Sequence, residues 1–313
     1  MIIGNEEDVT KAVLSELKRA PNPRFREIMS AFVRHLHDFA REVQLTEEEF
    51  QAAIGTIVAL GQHSNETHNE AVLMSGSLGF STLICLLNNG NSGQTETDAN
   101  LLGPFWRMHS PLTENGGSIV RSPTPGPALF VDASFRDIDG KPIAGAEVDV
   151  WQSSPEGFYE NQDPLQSDMN LRGKFMTDAH GHIGFRSVKP AGYPIPIDGP
   201  VGELLRAQGR HNMRPAHLHF LAYKDGFKTL ISQLYVPDDE HIETDVQFGV
   251  TRHLIGNYVR HDEGRPPAAD VKAPWYSLDH TFVMENGAAR LPKPPITGKA
   301  TGERPQIPHL ESA

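Results

Sequence analysis

Arg210–Phe220 reads RHNMRPAHLHF, and the tripeptide HLH at its end, His217–His219, also occurs at His35–His37. In a helix, residues i and i+2 lie about 200° apart, so two such imidazoles cannot meet on one ion. In a strand they share a face and can. The first copy sits among Phe25, Ile28, Met29, Phe32, Leu36 and Phe39, spaced by three and four, which predicts an amphipathic helix over 24–40 with solvated histidines flanking its stripe. The second opens AHLHFLAY, a short aromatic-rich run after a proline, which predicts a strand.

Outward from these two copies, the chain divides by texture. Thr46 with Glu49 reads as a capping box opening a second helix through Ile54, Ile57 and Leu60, and one more apolar stretch covers Val72–Leu87. The polar, Gly-rich passage NNGNSGQTETDANLLGPFW reads as a crossing. After it come ALFVDASF, AEVDVWQ, HIGFRSV, AHLHFLAY, TLISQLYV and LDHTFVME, separated by Pro and Gly signals, then a Pro-rich extended tail from Pro292. The expected class is α+β: a helical N-terminal region over 1–100, and an all-β sandwich over 101–313 that ends in the tail.

A net charge of −12 argues against a nucleic-acid footprint, and no apolar run approaches the roughly 20 residues of a membrane span. The single cysteine, Cys85, cannot form an intrachain disulfide, and acidic residues stand where a secretory signal would be basic. Together these point to a cytoplasmic protein with a small-molecule partner.

The bland reading of His217 and His219 is two histidines hydrogen-bonded on a sheet face; the chelating one needs further ligands. Cysteine ligands are missing from the strand region and no HExxH occurs, against the common zinc sites. A 2-His-1-carboxylate site would draw on Asp225 or the acids from Asp238 to Glu243. Tyr193 in KPAGYPIP and Tyr159 in SPEGFYENQDP are further candidates, because phenolates are hard anionic donors that favour ferric iron. Each could equally be a packed loop aromatic. His180 and His182, in DAHGH, read as surface residues.

The set WQSSPEGFYENQDP, KPAGYPIPIDGP, LLRAQGRHNMRPAHLHF and TLISQLYV, with Ser77–Gly79 and Leu101–Phe105, resembles the intradiol ring-cleaving dioxygenases over nearly the whole chain. The resemblance implies one Fe(III) per subunit held by Tyr159, Tyr193, His217 and His219, with Tyr193 displaced by an incoming diol. Arg214 and Gln233 then fall beside the iron as catalytic residues. Leu73, Gly76, Leu101, Pro104, Phe105, Ile195 and Pro196 fall on the substrate pocket, although most apolar members would serve as plain core. The implied partners are an aromatic diol or triol and O2, with a homodimer formed through the N-terminal helices around a phospholipid. The sequence itself shows only an apolar stripe there, which could be buried within one subunit.

ENQDPLQSDMNLRGKF and DVQFGVTR resemble the hydroxyquinol branch, which implies cleavage of hydroxyquinol to maleylacetate. Gly76, where that branch often has an acid, resembles the catechol branch. The competing class is a non-catalytic sandwich module with a helical arm.

Overall fold

A computed structural model describes residues 2–88 and 96–312; residues 89–95, near the start of the expected crossing, lie outside the described residues. Two compact units divide at Val58, Met1–Val58 and Ala59–Ala313. In the first, α1 (Glu6–Leu17) is capped by Asn5 and α2 (Pro23–Glu42) by Asn22, each side chain accepting a first-turn N–H. The stripe on α2 faces outward: Phe25, Ile28, Phe32, Leu36 and Phe39 are each about half exposed. The predicted capping box forms, with Thr46 N to Glu49 Oε2 at 2.9 Å and Glu49 N to Thr46 Oγ1 at 3.3 Å, and opens α3 (Glu47–Gln62).

The apolar stretch at 72–87 is two helices, α4 (Glu70–Ser77) and α5 (Phe80–Asn88). Gly79, at φ +70°, turns the chain between them, a conformation that costs glycine little. No single helix among the described residues is long and apolar enough to cross a membrane; α4 and α5 together are, but they meet at 78°.

The strands are β1 (Ala128–Asp137), β2 (Glu147–Gln152), β3 (Arg172–Met176), β4 (His182–Val188), β5 (Tyr193–Pro194), β6 (Met213–Arg214), β7 (His217–Tyr223), β8 (Leu230–Tyr235), β9 (Tyr258–His261) and β10 (Trp275–Met284). They form one sheet in the order β4-β1-β10-β9, a second in the order β3-β2-β7-β8, and the short ribbon β5-β6. Alternation assigns the faces. Leu129, Val131, Ala133 and Phe135 of β1 share one apolar core with Val148 and Val150 of β2 and with Leu218, Phe220 and Ala222 of β7. Each such fully buried Val, Leu or Phe is worth about 1.5–3 kcal/mol. The intervening residues, His217, His219 and Leu221 on β7 and Asp149 and Trp151 on β2, therefore point to the opposite side of that sheet. That side is covered by a second apolar cluster containing Trp151, Leu221, Tyr159 and Tyr193. α6 (Pro200–Ala207), β3, β9 and the two-residue strands were not anticipated from the sequence.

Candidate metal centre

Register builds the site. β7 pairs with β2 and β8 so that His219 stands opposite Trp151 on one side and Gln233 on the other, while His217 stands opposite Tyr235. Both imidazoles are buried, and their Nε2 atoms lie 3.1 Å apart. His217 Nδ1 lies 2.7 Å from the Pro215 carbonyl, which can accept only if that nitrogen carries the proton, so its Nε2 is left with a lone pair toward the site. Trp151 stacks on His219 at 4.5 Å and 9° and fixes the ring plane.

Tyr159 arrives from the loop after β2, where its N–H donates to Gln162 Oε1 and its carbonyl accepts from Gln162 N. Its hydroxyl reaches 2.9 Å from His219 Nε2 and 3.3 Å from His217 Nε2. Tyr193 comes from β5, cross-strand to Arg214 on β6, and its ring meets that of Tyr159 edge-on at 5.2 Å. The four residues singled out as ligands thus converge.

Burial, with Arg214 adding repulsion, pushes His217 down to about 3, and His219 is also held well below the usual range by burial and by His217. Burial and the neighbouring Tyr193 raise the Tyr159 phenol well above its ordinary value. His219 Nδ1 is buried without a partner, and the two imidazole Nε2 atoms and the buried phenol oxygen lie within 3.3 Å of one another. A hard trivalent cation satisfies all three and restores the phenolate, so the donor set fits ferric iron. No group of three His, Cys, Asp or Glu suited to a cation occurs among the described residues. Of the acids considered for a carboxylate ligand, Asp225 accepts from the Tyr223 hydroxyl, Asp238 from Lys189 Nζ and Asp239 from Ala216 N.

Arg214 is buried and donates to Asp245 from Nε and Nη2, each at 3.0 Å, and from Nη2 to the Tyr235 hydroxyl at 3.0 Å. Burial alone would lower the guanidinium; the Asp245 carboxylate outweighs it and holds the group protonated. Gln233 donates to the Leu101 carbonyl at 2.8 Å and accepts from Tyr235 at 2.6 Å and Arg214 at 3.3 Å, which orients Arg214. Of the residues assigned to the pocket, Leu73, Phe105 and Ile195 share the apolar cluster with both tyrosines, and Phe105 lies 4.7 Å from the Tyr159 ring. Leu101 and Pro104 are buried beside them in sequence. Pro196 is partly exposed and, with Phe105, lines a cavity of about 460 Å3. Gly76 touches the Gln247 side chain: a Cβ there would lie 1.7 Å from Gln247 Oε1.

Asp245, Trp151 and Tyr235 were not singled out from the sequence. The alternation that placed His217 and His219 on one face could have found Trp151 and Tyr235, which share that face. Asp245 lies on a loop and left no periodic signal.

Residues 101–282 match the family described as "Dioxygenase", and residues 22–96 match "Catechol dioxygenase N terminus". The chain is 41% identical to the hydroxyquinol 1,2-dioxygenase of Rhizobium sp. (strain MTP-10005), over 89% of this chain and 95% of that protein. It is 37% identical to the catechol 1,2-dioxygenase of Candida albicans, over 81% and 84%. Among solved structures, hydroxyquinol 1,2-dioxygenase from Pseudomonas putida DLL-E4 superposes with a TM-score of 0.79 at 36% identity, covering 90% of this chain and 99% of that one. With an N-terminal helical region, a β-sandwich and two tyrosines meeting two histidines on one sheet, the chain belongs to the intradiol ring-cleavage dioxygenase family and is an oxidoreductase.

Proposed function

We propose that this enzyme cleaves the ring of hydroxyquinol (benzene-1,2,4-triol) between its two adjacent hydroxyl-bearing carbons, adding both atoms of O2 to give maleylacetate. The observation that carries the reaction type is the approach of the Tyr159 hydroxyl to both histidine Nε2 atoms within 3.3 Å. The substrate rests on the relatives: proteins named hydroxyquinol 1,2-dioxygenase reach 41% and 36% identity over 89% of the chain.

Tyr159, Tyr193, His217 and His219 would hold one ferric ion per subunit, which when bound supplies the electron withdrawal that makes a diol's ring carbon reactive toward O2. The chain's own residues do the rest. Arg214 presents a fixed positive charge to the negative charge that develops on the ring oxygen, and in a water-excluded site such a charge acts strongly. Asp245, Tyr235 and Gln233 hold the guanidinium in place. Leu73, Phe105 and Ile195 supply apolar walls that exclude water and stack on the ring. Tyr193, on a two-residue strand, is the one assigned to give way to the diol.

Initial rates of O2 uptake by ferric-loaded protein on hydroxyquinol and on catechol test this reading. A higher kcat/KM on catechol overturns the substrate; no uptake with either overturns the reaction. Catechol is the second reading because Gly76 with Gln247 packed against it leaves no room for an acidic side chain at that position.

Catalysis is assigned to residues 101–313 and dimerisation to residues 1–100. The outward apolar stripe of α2 supports a homodimer through the helical region, with a phospholipid's acyl chains as the covering chemistry. The lone free cysteine supports a cytoplasmic location.

A further inference from the structure

Among the described residues beyond β10 there is no helix or strand, and the chain runs past residue 282, where the family match ends. Two of its cations, Lys299 and Arg304, nevertheless converge on one loop. Lys299 Nζ donates to the carbonyls of Glu160 at 2.5 Å and Asp163 at 2.6 Å, and Ala300 N donates to the carbonyl of Asn161 at 2.7 Å. Arg304 donates to Asp163 Oδ2 at 2.6 Å and to both oxygens of Glu156, at 3.2 and 2.9 Å. These bonds bracket Tyr159 on both sides.

The charges make the contacts consequential. Glu160 and Asp163 are fully buried. Arg107 and Arg172, from the body of the sandwich domain, pair with Glu160, whereas the cation paired with Asp163 is Arg304 from the tail. A buried carboxylate without its counterion is strongly destabilising, so the loop holds this conformation only with the tail in place. The tail also reaches the ribbon bearing Tyr193. Asn212 Nδ2 donates to the Ile195 carbonyl at 2.9 Å and the Pro308 carbonyl at 3.1 Å, and Leu310 N donates back to Asn212 Oδ1 at 2.9 Å. Ile296 is buried in the cluster that contains both tyrosines.

We propose that this tail is a clasp that positions Tyr159 as an iron ligand, with Lys299 and Arg304 as its positioning residues. The proposal rests on the metal reading above. A ligand on an irregular loop has no ladder to hold it, and such loops open first unless tied elsewhere; metal affinity follows how firmly the supporting residues hold each ligand.

The test uses the full chain with Lys299→Met and Arg304→Gln introduced singly. Release of ferric iron to a competing chelator should be about tenfold faster than in the parent, with the visible absorption band displaced or weakened. Amide exchange over 157–166 should rise about tenfold while β2 and β7 amides keep parental rates. Arg304→Lys, which keeps a cation beside Asp163, should recover most of the loss. Parental iron release together with parental loop exchange overturns the clasp, and so does exchange that rises equally throughout the domain. Should Arg304→Gln fail to fold, Lys299→Met decides alone. A parent that takes up no ferric iron removes the metal reading, and loop exchange then decides whether the tail ties this loop.

Discussion

Arg214 and Asp245 form a two-point ion pair, Nε to Oδ1 and Nη2 to Oδ2 each at 3.0 Å, with both side chains 2% exposed. The pair fixes both the plane and the position of a cation beside His217, whose Nε2 is 3.4 Å from Arg214 Nη1. Asp245 also accepts the backbone N–H groups of Gln247 and Gly249, so it is itself held rigidly. The fixed charge that the proposed chemistry needs is therefore held by the loop that carries Asp245.

Asp245→Asn should leave Arg214 buried without its counter-charge. Stability is expected to fall by about 3–5 kcal/mol, the usual cost of breaking a buried pair. In protein that still folds, kcat should drop by about 10–100-fold through misplaced charge while bound iron stays stoichiometric. Iron analysis beside steady-state rates checks this, and unchanged kcat would remove Asp245 from the supporting role.

Tyr159→Phe removes one anionic oxygen from the donor set and leaves the ring contacts with Phe105 and Tyr193 in place. Phenolate-to-ferric charge transfer colours a protein, so the visible band should shift or bleach and iron should bind more weakly. A ferric-loaded variant with the parental spectrum would show that Tyr159 is no ligand.

Gly76 and Gln247 should behave as a coupled pair. Gly76→Ala forces the carboxamide away from Ser77 Oγ, now 2.6 Å from Nε2, at a cost of about 1–3 kcal/mol for the buried bonds lost. Gln247→Ala in the same chain makes room for the new methyl, so the double variant should be less destabilised than the sum of the singles. Urea unfolding of all four proteins closes the cycle; strict additivity would mean the two side chains do not compete for that space.

The exposed stripe of α2 predicts a change of assembly. Phe32→Asp places a charge in the middle of it and should convert a dimer to a monomer in sedimentation, without loss of helicity. A parent that is already monomeric would remove the dimer reading.

How much of this was legible in the sequence follows from periodicity. The two-residue period put His217 and His219 on one face, which leaves Phe220 on the other, in the core between the sheets. The four candidate ligands were singled out through the words around them, because nothing in spacing alone brings Tyr159 and Tyr193 to a strand that begins at His217. α6 was hidden by its setting: Pro200 opens it at N1 directly after a Pro- and Gly-rich passage that reads as loop. The helix break at Gly79 was hidden because a glycine inside an apolar stretch does not announce its φ. Asp245 depends on a tertiary approach across 31 residues, for which a lone acid in a loop carries no signal.

Asp149 carries the last prediction. It lies on β2 opposite Lys174, 4% exposed, and burial lifts its carboxyl to about 6 although Lys174 pulls it down. Its ordinary value is 3.8, so between about pH 4 and 6 the folded chain holds a proton that the unfolded chain has released. Stability must then fall as pH rises through that window, by about 3 kcal/mol for two units at roughly 1.4 kcal/mol each. His280 acts in the opposite sense. Burial lowers it from 6.5 to about 4, so the unfolded chain takes the proton first and stability is lost as pH falls through about 6.5 to 4. Between pH 4 and 6 the Asp149 slope opposes that of His280 and those of His217 and His219, which burial lowers in the same way, so the parental profile there should be shallower than that of a chain without the Asp149 carboxyl. Asp149→Asn removes the Asp149 slope: stability at pH 7 should rise, and the remaining slope should climb with pH across the window. Urea midpoints at pH 4.5, 5.5 and 7 measure both, and a variant with the parental slope would place the Asp149 carboxyl in contact with water.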